Sequence, residues 1–500
     1  MPGFGQRPSA HKVGYANGDS AMSYADTSLL IDNIWGAAAD GRTLDVRNPA
    51  TGQVIGQVAH AGLADLDRAL AAAERGFAAW RKVGAFDRSK LLRRAAELLR
   101  KDAEATARTM TTEQGKPLAE ARGETMVGAD VMDWFAEEAR RVYGRIIPAR
   151  AEGIVQSVTR EPVGPVAAFT PWNFPINQAV RKVAAALAAG CSVILKGPED
   201  TPASCAAMVR AFVDAGLPPG VLQLVYGDPA QISEYLIASP VIRKISFTGS
   251  TAVGKKLAAL AGANMKRATM ELGGHAPAVV FDDADLDVAA TVLTLNKLRN
   301  AGQVCVAPTR FLVQEGVYAP FLSRLTERFA QVKVGDGAAD GVTMGPLAHA
   351  RRVEAMEGFV ADARAHGATV RIGGERIGNA GYFFAPTILT ETPTDARIMN
   401  EEPFGPIAIV TPFKRFEDAM VEANRLPYGL ASFGYTRSAK TATAFAAEIT
   451  AGMVGINHHG LALPETPFGG VRDSGYGSEG GSEAMEAYTT VKFVSQASAS

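Results

Sequence analysis

Two residues of this sequence have side chains suited to covalent catalysis. Cys305 lies in a turn of small and polar residues, 300–306 (NAGQVCV), where a thiolate nucleophile is better accommodated than in an apolar core. Glu271 precedes Gly273 and Gly274, which would let a substrate or cofactor come close. Taken singly, each has a simpler explanation, because a lone cysteine is usually a small buried hydrophobe and a lone glutamate a surface carboxylate. A thiolate at Cys305 and a carboxylate close to a bound substrate or cofactor at Glu271 are hypotheses at this point.

Two predicted strand ends carry groups that suit a nucleotide. The strand 242–247 leads through a glycine-containing turn, 248–254 (TGSTAVG), into a helix, and free N–H groups at a helix start attract phosphate. Lys196 and Glu199 follow an earlier strand, at the edge where nucleotide riboses usually lie. A carboxylate there would accept hydrogen bonds from ribose hydroxyls and repel a 2′-phosphate. An ordinary turn and a solvated charge pair stay open as alternatives, since the turn is not the GxGxxG fingerprint.

The elements that would position these groups alternate between helix and strand. Apolar residues recur at helical spacing over 64–80, and a second helix is predicted from about Asp87 to Gln114, ending before Gly115. Beyond Pro148, short apolar runs alternate with helical segments, which predicts a parallel sheet with helices on both faces. The carboxyl ends of its strands would meet at one edge, where ligands bind. The strands predicted in this block include 166–169, 192–195, 221–225 and 242–247.

A second alternating block extends from about Leu286 to Ile456. The glycine-rich residues 464–481 are predicted to form a loop. Segments 155–159 and 488–495 predict a small pair of strands that extends beyond the body. The sequence therefore predicts an α/β protein with two α/β domains and an outlying strand pair. The strands predicted in the second block include 309–313 and 407–411.

Composition and charge exclude several classes of protein. The 500 residues include 51 Lys and Arg against 52 Asp and Glu, so the basic excess of a nucleic-acid binder is missing. Cys191, Cys205 and Cys305 have neither a disulfide framework nor the spacing of a metal site, which favours a reduced, cytoplasmic protein without a metal. Residues 1–24 have no apolar run and are expected to form a flexible extension, not a secretory signal. No segment has the apolar length of a membrane span, so neither a membrane nor a nucleic-acid partner is expected.

Six ordered motifs give the chain a specific resemblance. With Glu271 placed 34 positions before Cys305, they resemble the aldehyde dehydrogenase superfamily over about Leu30 to Val494. The pattern is most similar to the branch of succinate-semialdehyde and α-ketoglutaric-semialdehyde dehydrogenases. The resemblance implies a Rossmann-like parallel-sheet cofactor domain, an α/β catalytic domain and a small β-extension for oligomerisation. The motifs are TPWNFP at 170–175, FTGS at 247–250, ELGG at 271–274, GQVC at 302–305, EPFGP at 402–406 and PFGG at 467–470.

The resemblance implies a role for each of five catalytic residues. Cys305 would attack the aldehyde carbon as a thiolate and form a thiohemiacetal. The Asn173 side-chain amide and the Cys305 backbone N–H would hold the oxyanion. After hydride transfer leaves a thioester, Glu271 would activate the water that releases the acid. Lys182 and Glu479 match positions that relay protons from this base.

The resemblance also implies a dinucleotide site and no metal. Members that prefer NADP often have a small hydroxyl residue where this chain has Glu199, so NAD is expected to be preferred, with NADP possible. The implied residues are Lys196 and Glu199 for the adenosine ribose, Trp172 and Ser250 for phosphate, Glu402 for the nicotinamide ribose, Phe404 beside the nicotinamide, and, without a specified group, Thr170, Pro171, Gly249 and Leu272.

The substrate is expected to be an aldehyde with a second acidic group. Arg181 and Arg299 match the arginines that hold the distal carboxylate of semialdehydes, and the planar guanidinium binds a carboxylate bidentately. The alternative is that both arginines form salt bridges with neighbouring Asp or Glu. Gln178 could hydrogen-bond a 2-oxo or hydroxyl group, and Phe468 and Leu463 are expected to line the same site.

The chain departs from the pattern of the succinate-semialdehyde enzymes at two positions. Leu463 stands where those enzymes often have a serine that assists carboxylate binding, which leaves room for a longer substrate. Ala307 stands where some have a second cysteine, so no redox switch is expected at the nucleophile. His458 and His459 lie in the same loop, are expected to face solvent and receive no role.

We therefore expect the NAD(P)-dependent oxidation of a dicarboxylic semialdehyde, α-ketoglutaric or succinic, to the diacid. The alternatives are a broad-specificity aldehyde dehydrogenase and a non-catalytic NAD-binding structural protein. A coenzyme-A-acylating enzyme is disfavoured by the presence of Glu271. The chain is expected to form a homodimer or homotetramer. The expected divisions are a flexible extension at 1–24, an NAD(P)-binding domain at 25–145 and 163–274, a catalytic domain at 275–475, and an oligomerisation segment at 146–162 and 484–500.

Overall fold

The structure is a computed structural model that describes residues 24–497. The predicted flexible extension, 1–24, lies outside the described residues except for Tyr24. The strands of the described part are β1 (Leu29–Ile31), β2 (Ile34–Gly36), β3 (Thr43–Arg47), β4 (Val54–Ala59), β5 (Arg145–Ile147), β6 (Ile154–Pro162), β7 (Val166–Phe169), β8 (Val193–Lys196), β9 (Leu222–Val225), β10 (Lys244–Thr248), β11 (Arg267–Glu271), β12 (Pro277–Val280), β13 (Arg310–Gln314), β14 (Thr369–Ile372), β15 (Thr387–Thr390), β16 (Ile407–Phe413), β17 (Tyr428–Gly429), β18 (Ala431–Tyr435), β19 (Met453–Ile456), β20 (Val471–Arg472), β21 (Gly475–Tyr476) and β22 (Thr489–Ala497).

The helices of the same part lie on and between the sheets. They are α1 (Leu63–Trp80), α2 (Ala85–Lys101), α3 (Ala103–Gln114), α4 (Leu118–Glu138), α5 (Asn177–Ala189), α6 (Pro202–Asp214), α7 (Pro229–Ala238), α8 (Thr251–Ala263), α9 (Leu286–Leu298), α10 (Glu315–Ala330), α11 (Ala350–Ala365), α12 (Phe416–Ala423), α13 (Ala439–Glu448) and α14 (Glu483–Ala487).

The larger sheet contains the strands predicted to carry the nucleotide site. Its order is β2-β1-β9-β8-β7-β10-β11-β21, and the strands from β9 to β11 are parallel. Strands β7, β8, β9 and β10 are buried along their whole length, as expected for a sheet covered on both faces. The edge strands of this sheet pair antiparallel, unlike the predicted parallel sheet. Gly475 and Tyr476, expected to be loop, form β21 and pair antiparallel with Glu271 and Met270.

The second sheet has the order β14-β15-β16-β13-β12-β18-β19 and is parallel except for β14. A separate hydrophobic core lies against it, which includes Phe311, Ile388 and Leu293. The described residues therefore form a hydrophobic core around each of the two sheets, as the alternating pattern predicts, and a smaller apolar cluster that includes Phe281 and Phe445 packs on the second sheet.

The outlying strands form a sheet of three strands instead of the predicted pair. Strand β6 pairs with β22, from Pro162 opposite Thr489 to Ile154 opposite Ala497, and β5 adds to the other side of β6. The sequence prediction missed β5 because its three residues are too few to show an alternating pattern.

The helix predicted over residues 87–114 is broken in the structure. Asp102 has φ −98° and ψ 13°, so α2 ends and α3 begins at this residue. The change of direction brings Glu113, near the end of α3, to the start of α6, where its carboxylate accepts hydrogen bonds from the N–H groups of Ala203 and Ser204. A tertiary contact of this kind leaves no trace in local periodicity, so the single helix was a wrong prediction.

The parallel strands of the larger sheet end at one edge. Phe169 is in register with Lys196 and with Phe247, and Thr248 is in register with Glu271. The residues that follow these strands therefore meet at the carboxyl edge, where α/β proteins bind their ligands.

Within residues 24–497, no helix is both long enough and apolar enough to cross a membrane. The same residues contain no group of three or more His, Cys, Asp and Glu side chains arranged to hold a metal ion.

Candidate active site

Cys305 follows a turn whose backbone few side chains adopt. Asn300, Ala301 and Gly302 have φ values of 48°, 51° and 73°, all in the left-handed region. Gly302 is required here because a Cβ would lie 2.1 Å from the carbonyl oxygen of Gly405. The turn thus packs the backbone before Cys305 directly against the loop that contains Gly405.

The thiol of Cys305 is half-buried and lies among negative charges. Burial and the charges of Glu402 and Glu271 together raise its pKa to about 12, although the Arg299 charge opposes this rise. The group is therefore a thiol at neutral pH in the chain alone, and it needs a base or a nearby positive charge to become the nucleophile. Cys191 is fully buried, in keeping with a packing role.

Asn173 is 2% exposed, and its polar groups face the Cys305 turn. Its side-chain Nδ2 donates to the carbonyl oxygen of Gln303 at 3.0 Å, which fixes the amide with its N–H groups toward this turn. Its backbone carbonyl accepts from Lys116 Nζ at 2.8 Å and from Asn300 Nδ2 at 2.9 Å. The second Nδ2 hydrogen has no acceptor in the described chain and is free to bind a ligand oxygen.

Glu271 is a buried carboxylate whose two oxygens have no hydrogen-bond partner in the described chain. Burial and the charge of Glu479 raise its pKa well above the ordinary value, and the charges of Lys182 and Arg181 oppose this rise. A carboxylate with a raised pKa binds a proton more tightly than an ordinary glutamate does, which suits a general base that takes a proton from water.

Lys182 and Glu479 form a buried ion pair beside Glu271. Lys182 Nζ contacts Glu479 Oε1 and donates to Thr248 Oγ1 at 2.6 Å. Ser246 Oγ donates to the same Glu479 oxygen at 2.7 Å, while Oε2 has no partner in the described residues. The pair therefore offers a carboxylate oxygen and an ammonium group next to the candidate base.

Lys196 and Glu199 form an ion pair of 2.6 Å at the end of β8. Their side chains are 7% and 22% exposed, so the alternative of a solvated charge pair is wrong. Glu199 Oε1 also accepts from the Gly227 N–H at 3.0 Å, and Thr170 Oγ1 donates to the Lys196 carbonyl at 3.3 Å. A carboxylate and an ammonium are thus held together at the edge of the sheet.

The glycine-containing turn after β10 leads directly into α8. Ser250 is the N-cap of this helix, and its Oγ accepts from Val253 N–H at 3.5 Å. Gly249 N–H donates to the Glu271 carbonyl at 3.1 Å, which places the turn next to the candidate base. The remaining N–H groups of the first turn of α8 can bind an anion.

Glu402 lies against the glycines that follow Glu271's strand. Its Oε1 accepts from the Gly274 N–H at 3.3 Å, and a Cβ on Gly273 would lie 2.5 Å from its Oε2. Burial raises its pKa to about 7, which the Gly274 N–H and the Arg352 charge oppose. Leu272 is buried and packs on Gly254 of α8.

Aromatic rings line the other side of this region. The Trp172 ring lies edge-on to Phe404, with centroids 5.8 Å apart, and to His349, at 5.5 Å. Phe404 has φ 46°, and Arg352 donates to its carbonyl at 3.0 Å. Pro171 is half-buried beside Trp172.

These groups fit a dinucleotide. Gly249 and Gly273 have no space for a Cβ, which would lie 2.5 Å from the Phe247 ring and 2.5 Å from Glu402, so the backbone packs closely against these side chains. A carboxylate and an ammonium for hydroxyl groups, a helix start for phosphate and two aromatic faces complete the donor set.

The Arg181 side chain forms hydrogen bonds with backbone carbonyls. Its guanidinium donates to the carbonyl of Glu479 at 3.1 Å and to that of Ala462 at 2.8 Å, and it lies 5.2 Å from the centroid of the Phe468 ring. No Asp or Glu lies within ion-pair distance in the described chain, so the salt-bridge alternative is wrong for this residue. Three of its five N–H groups have no acceptor among residues 24–497.

Arg299 is exposed and unpaired. Its guanidinium lies 5.2 Å from the centroid of the Phe174 ring, and it has no hydrogen-bond acceptor or ion-pair partner among residues 24–497. The salt-bridge alternative is therefore wrong here as well. The charge of Arg299 nevertheless acts on the Cys305 thiol, so the two groups belong to the same region.

The other predicted substrate contacts differ in their surroundings. Gln178 is buried and lies one turn before Arg181 on α5, and Phe468 is buried under the Arg181 guanidinium. Leu463 is 46% exposed. His459 was expected to face solvent, but it stacks on Phe433 with centroids 3.6 Å apart, and burial lowers its pKa to about 3.

Sequence reasoning missed the residues that support Asn173. Gln114, Lys116 and Glu124 come from α3, α4 and the turn between them, and none belongs to a recognised motif. The available signal was a charged residue, Lys116, between Gly115 and Pro117. These residues were interpreted only as the end of a helix, so the charge of Lys116 was overlooked.

Comparison with known proteins explains this arrangement. Residues 35–494 match the sequence profile of the Aldehyde dehydrogenase family. The chain belongs to this family. A 4-(hydroxymethyl)benzenesulfonate dehydrogenase of Comamonas testosteroni is 48% identical over 475 residues, covering 95% of this chain and 99% of that protein. A 3-sulfolactaldehyde dehydrogenase of Pseudomonas putida is 44% identical over 481 residues, covering 95% and 98%.

The fold of this aldehyde dehydrogenase matches solved structures. A succinate-semialdehyde dehydrogenase from Burkholderia pseudomallei superposes with a TM-score of 0.92 at 42% identity, covering 94% of this chain and 98% of that one. The resemblance and fold inferred from the motifs are confirmed. The protein is an oxidoreductase that acts on aldehydes with NAD(P), so the structural-protein alternative is wrong.

Proposed function

We propose that this aldehyde dehydrogenase oxidises an aldehyde with an anionic group at its far end to the corresponding acid, with NAD preferred. The observation that carries the proposal is the unpaired Arg299 guanidinium, whose charge acts on the Cys305 thiol. A free arginine at this place suits a carboxylate or sulfonate of the substrate.

The proposed chemistry uses residues that the structure brings together. The Cys305 thiolate adds to the aldehyde carbon, and Asn173 Nδ2–H and the Cys305 N–H bind the oxyanion, each worth about 3 kcal/mol. A bound NAD(P)⁺ would supply the hydride acceptor, and loss of hydride from the thiohemiacetal carbon would leave a thioester on Cys305. Glu271 takes a proton from water, the hydroxide forms the acid, and the C–S bond breaks to return the thiolate. Lys182 and Glu479 then relay the proton from Glu271.

The proposed cofactor site uses the larger sheet. Lys196 and Glu199 would bind the adenosine ribose, Ser250 with Trp172 the phosphates, and Glu402 the nicotinamide ribose beside Phe404. Residues 25–145 and 163–274, which contain every strand of the larger sheet except β21, are the proposed NAD(P)-binding domain, and residues 275–475 are the proposed catalytic domain. The preference for NAD rests on the partly buried Glu199 carboxylate, which would repel a 2′-phosphate.

The leading substrates are α-ketoglutaric and succinic semialdehyde. The match to a solved succinate-semialdehyde dehydrogenase supports a carboxylate, and the buried Gln178 side chain, one turn before Arg181 on α5, would bind a 2-oxo group. A sulfonated aldehyde is the second candidate, because two of the similar relatives carry names of sulfonate dehydrogenases. The exposed Leu463 leaves room for either group.

Self-association is proposed through the three-stranded sheet β5-β6-β22, as a homodimer or homotetramer. Its exposed side chains include Ile146, Val155, Val491 and Phe493, an apolar set that covering by a second copy would bury. Apart from Arg145, the described residues of this sheet lie within the proposed ranges 146–162 and 484–500. A cytoplasmic location is also proposed, favoured by the free state of all three cysteines.

Steady-state kinetics with matched substrates test the proposal. Succinic and α-ketoglutaric semialdehyde, a sulfonated aldehyde of similar length and butanal are compared in the natural protein and in Arg299→Leu. The loss of a charge-assisted contact should raise KM for the anionic aldehydes by about 10- to 100-fold and leave butanal within about twofold. Arg324→Leu, which removes a half-buried arginine of α10 paired with Asp287, is the control. Equal KM changes for charged and uncharged aldehydes would contradict the proposal.

A further inference from the structure

The backbone carbonyl of Asn173 is the meeting point of three separate segments. It accepts hydrogen bonds from Lys116 Nζ at 2.8 Å and from Asn300 Nδ2 at 2.9 Å, which use both of its lone pairs. Lys116 precedes α4, and Asn300 belongs to the left-handed turn before Cys305. The Asn173 peptide is therefore fixed by a cation on one side and by the nucleophile's turn on the other.

The Lys116 side chain is held in place by Glu124 and Phe174. Its side chain is fully buried, its Nζ lies 2.5 Å from Glu124 Oε2, and the same ammonium lies 4.0 Å from the centroid of the Phe174 ring. The other Glu124 oxygen accepts from the N–H groups of Ile176 and Asn177 at 3.0 and 3.3 Å. The Lys116–Glu124 pair thus forms hydrogen bonds with the backbone before and after Phe174, in the segment that contains Asn173.

The turn before Cys305 is tied to the same helices. Gln114 Nε2 donates to Asn300 Oδ1 at 2.8 Å, and the Asn300 N–H donates to Glu120 Oε2 at 2.9 Å. Gln114 Oε1 in turn accepts from the Lys116 N–H at 3.0 Å. These bonds join the amide and the nucleophile to one rigid frame.

We propose that Lys116, with Glu124, is a positioning residue that sets the Asn173 side-chain amide relative to Cys305. The proposal rests on the proposed role of Asn173 in binding the oxyanion. Without the ammonium, the Asn173 peptide loses one of two bonds to its carbonyl and can rotate, which displaces Nδ2. A displacement of about 1 Å at a reacting centre can lower a rate by about 100-fold.

A double-mutant cycle between Lys116 and Asn173 tests this. Lys116→Met alone would leave the Glu124 charge buried and unpaired, which is strongly destabilising, so Lys116→Met/Glu124→Gln is made as well. The readouts are the single-turnover rate of NADH formation, the dissociation constant for NAD⁺ and the KM for the aldehyde. All are measured on variants whose unfolding is cooperative.

The expected result is a loss of rate that depends on Asn173. Asn173→Ala should lower the single-turnover rate by about 100- to 1000-fold, and the Lys116→Met/Glu124→Gln variant by about 10- to 100-fold, with NAD⁺ binding unchanged. In the Asn173→Ala background, the same changes at Lys116 and Glu124 should lower the rate by less than twofold, because the amide they position is gone.

Each other result overturns the inference in a distinguishable way. A folded Lys116→Met/Glu124→Gln variant with the natural rate shows that Lys116 does not position the amide, while the proposed function stands. An equal loss in the two backgrounds shows that Lys116 acts independently of Asn173. A natural rate in Asn173→Ala removes the proposed oxyanion role and, with it, the role of Lys116.

Discussion

Lys182 and Glu479, 297 positions apart in sequence, form an ion pair whose side chains are 0% and 2% exposed. The pair joins α5 to the segment before α14, across the carboxyl edge of the larger sheet. Its charges oppose each other at Glu271, since Glu479 raises the pKa of that carboxyl group and Lys182 lowers it. The pair thus links two distant segments and acts on the proton affinity of the proposed base.

Removing one partner of this pair should cost far more stability than removing both. Lys182→Met leaves the Glu479 charge buried without its cation, and we expect a loss of about 3–5 kcal/mol. Lys182→Met/Glu479→Gln should recover a large part of this loss. Urea unfolding followed by fluorescence measures both, and equal midpoints for the single and double variants would contradict the prediction.

An exposed pair provides the control for this measurement. Lys90 and Asp87 lie 3.3 Å apart with side chains 77% and 69% exposed. Lys90→Met should therefore change the free energy of unfolding by less than about 1 kcal/mol.

Glu271→Gln should separate the two halves of the reaction. The variant keeps Cys305 and Asn173, so one equivalent of NADH should form rapidly, after which the thioester accumulates. Steady-state turnover should fall by about 100-fold or more, because the water loses its base. A stopped-flow burst of NADH measures this, and a variant without a burst would contradict the assignment of Glu271 to hydrolysis.

The pH dependence of that step follows from the raised pKa of Glu271. A general base works only when deprotonated, so hydrolysis in the natural protein should increase with pH through a midpoint well above that of an ordinary glutamate. The residual turnover of Glu271→Gln should not show this increase with pH. Turnover measured from pH 5 to 9 compares the two.

The Cys305 thiol should be slow to alkylate in the absence of cofactor. With its pKa raised to about 12, the thiolate fraction at pH 9 is about 0.1%, and the rate should rise tenfold per pH unit. Glu402→Gln removes a negative charge that raises this pKa, so alkylation by iodoacetamide at pH 9 should quicken by roughly three- to tenfold. The difference should shrink below pH 7, where Glu402 itself takes up a proton.

A neighbouring carboxylate serves as the control for alkylation. Glu401 is exposed and paired with Arg397, so Glu401→Gln should leave the rate unchanged. Mass spectrometry should find the label on Cys305, because Cys191 and Cys205 are fully buried. A label mainly on either of these would contradict the prediction.

Local patterns and motifs predicted the parts of this structure that depend on neighbouring residues. The strand Val166–Phe169 agrees with its prediction, and α1 begins one residue earlier than predicted. The order of the six motifs predicted the family before any contact was known. Each of these signals lies within a short segment, where periodicity and residue type act directly on the backbone.

The contacts that complete the site come from distant segments, and the sequence could not show them. Lys116 reaches Asn173 across 57 positions and Gln114 reaches Asn300 across 186. The hydrogen bond from Arg181 to the Glu479 carbonyl joins residues 298 positions apart. Long-range hydrogen bonds leave no periodic pattern, so these partners emerge only when the two halves of the chain are folded together.

Glu199→Ser should change the nucleotide preference. The substitution removes the carboxylate that would repel a 2′-phosphate, and it releases the Lys196 ammonium, now 2.6 Å from Glu199, to bind that phosphate. The ratio of kcat/KM for NAD to that for NADP should fall by roughly tenfold or more, equivalent to ~1.4 kcal/mol. Glu234→Ser, which removes an exposed carboxylate of α7, is the matched control and should keep the natural ratio. Because the Gly227 N–H also loses its acceptor, the kcat/KM for NAD should decline. An unchanged ratio in Glu199→Ser would show that Glu199 does not read the ribose.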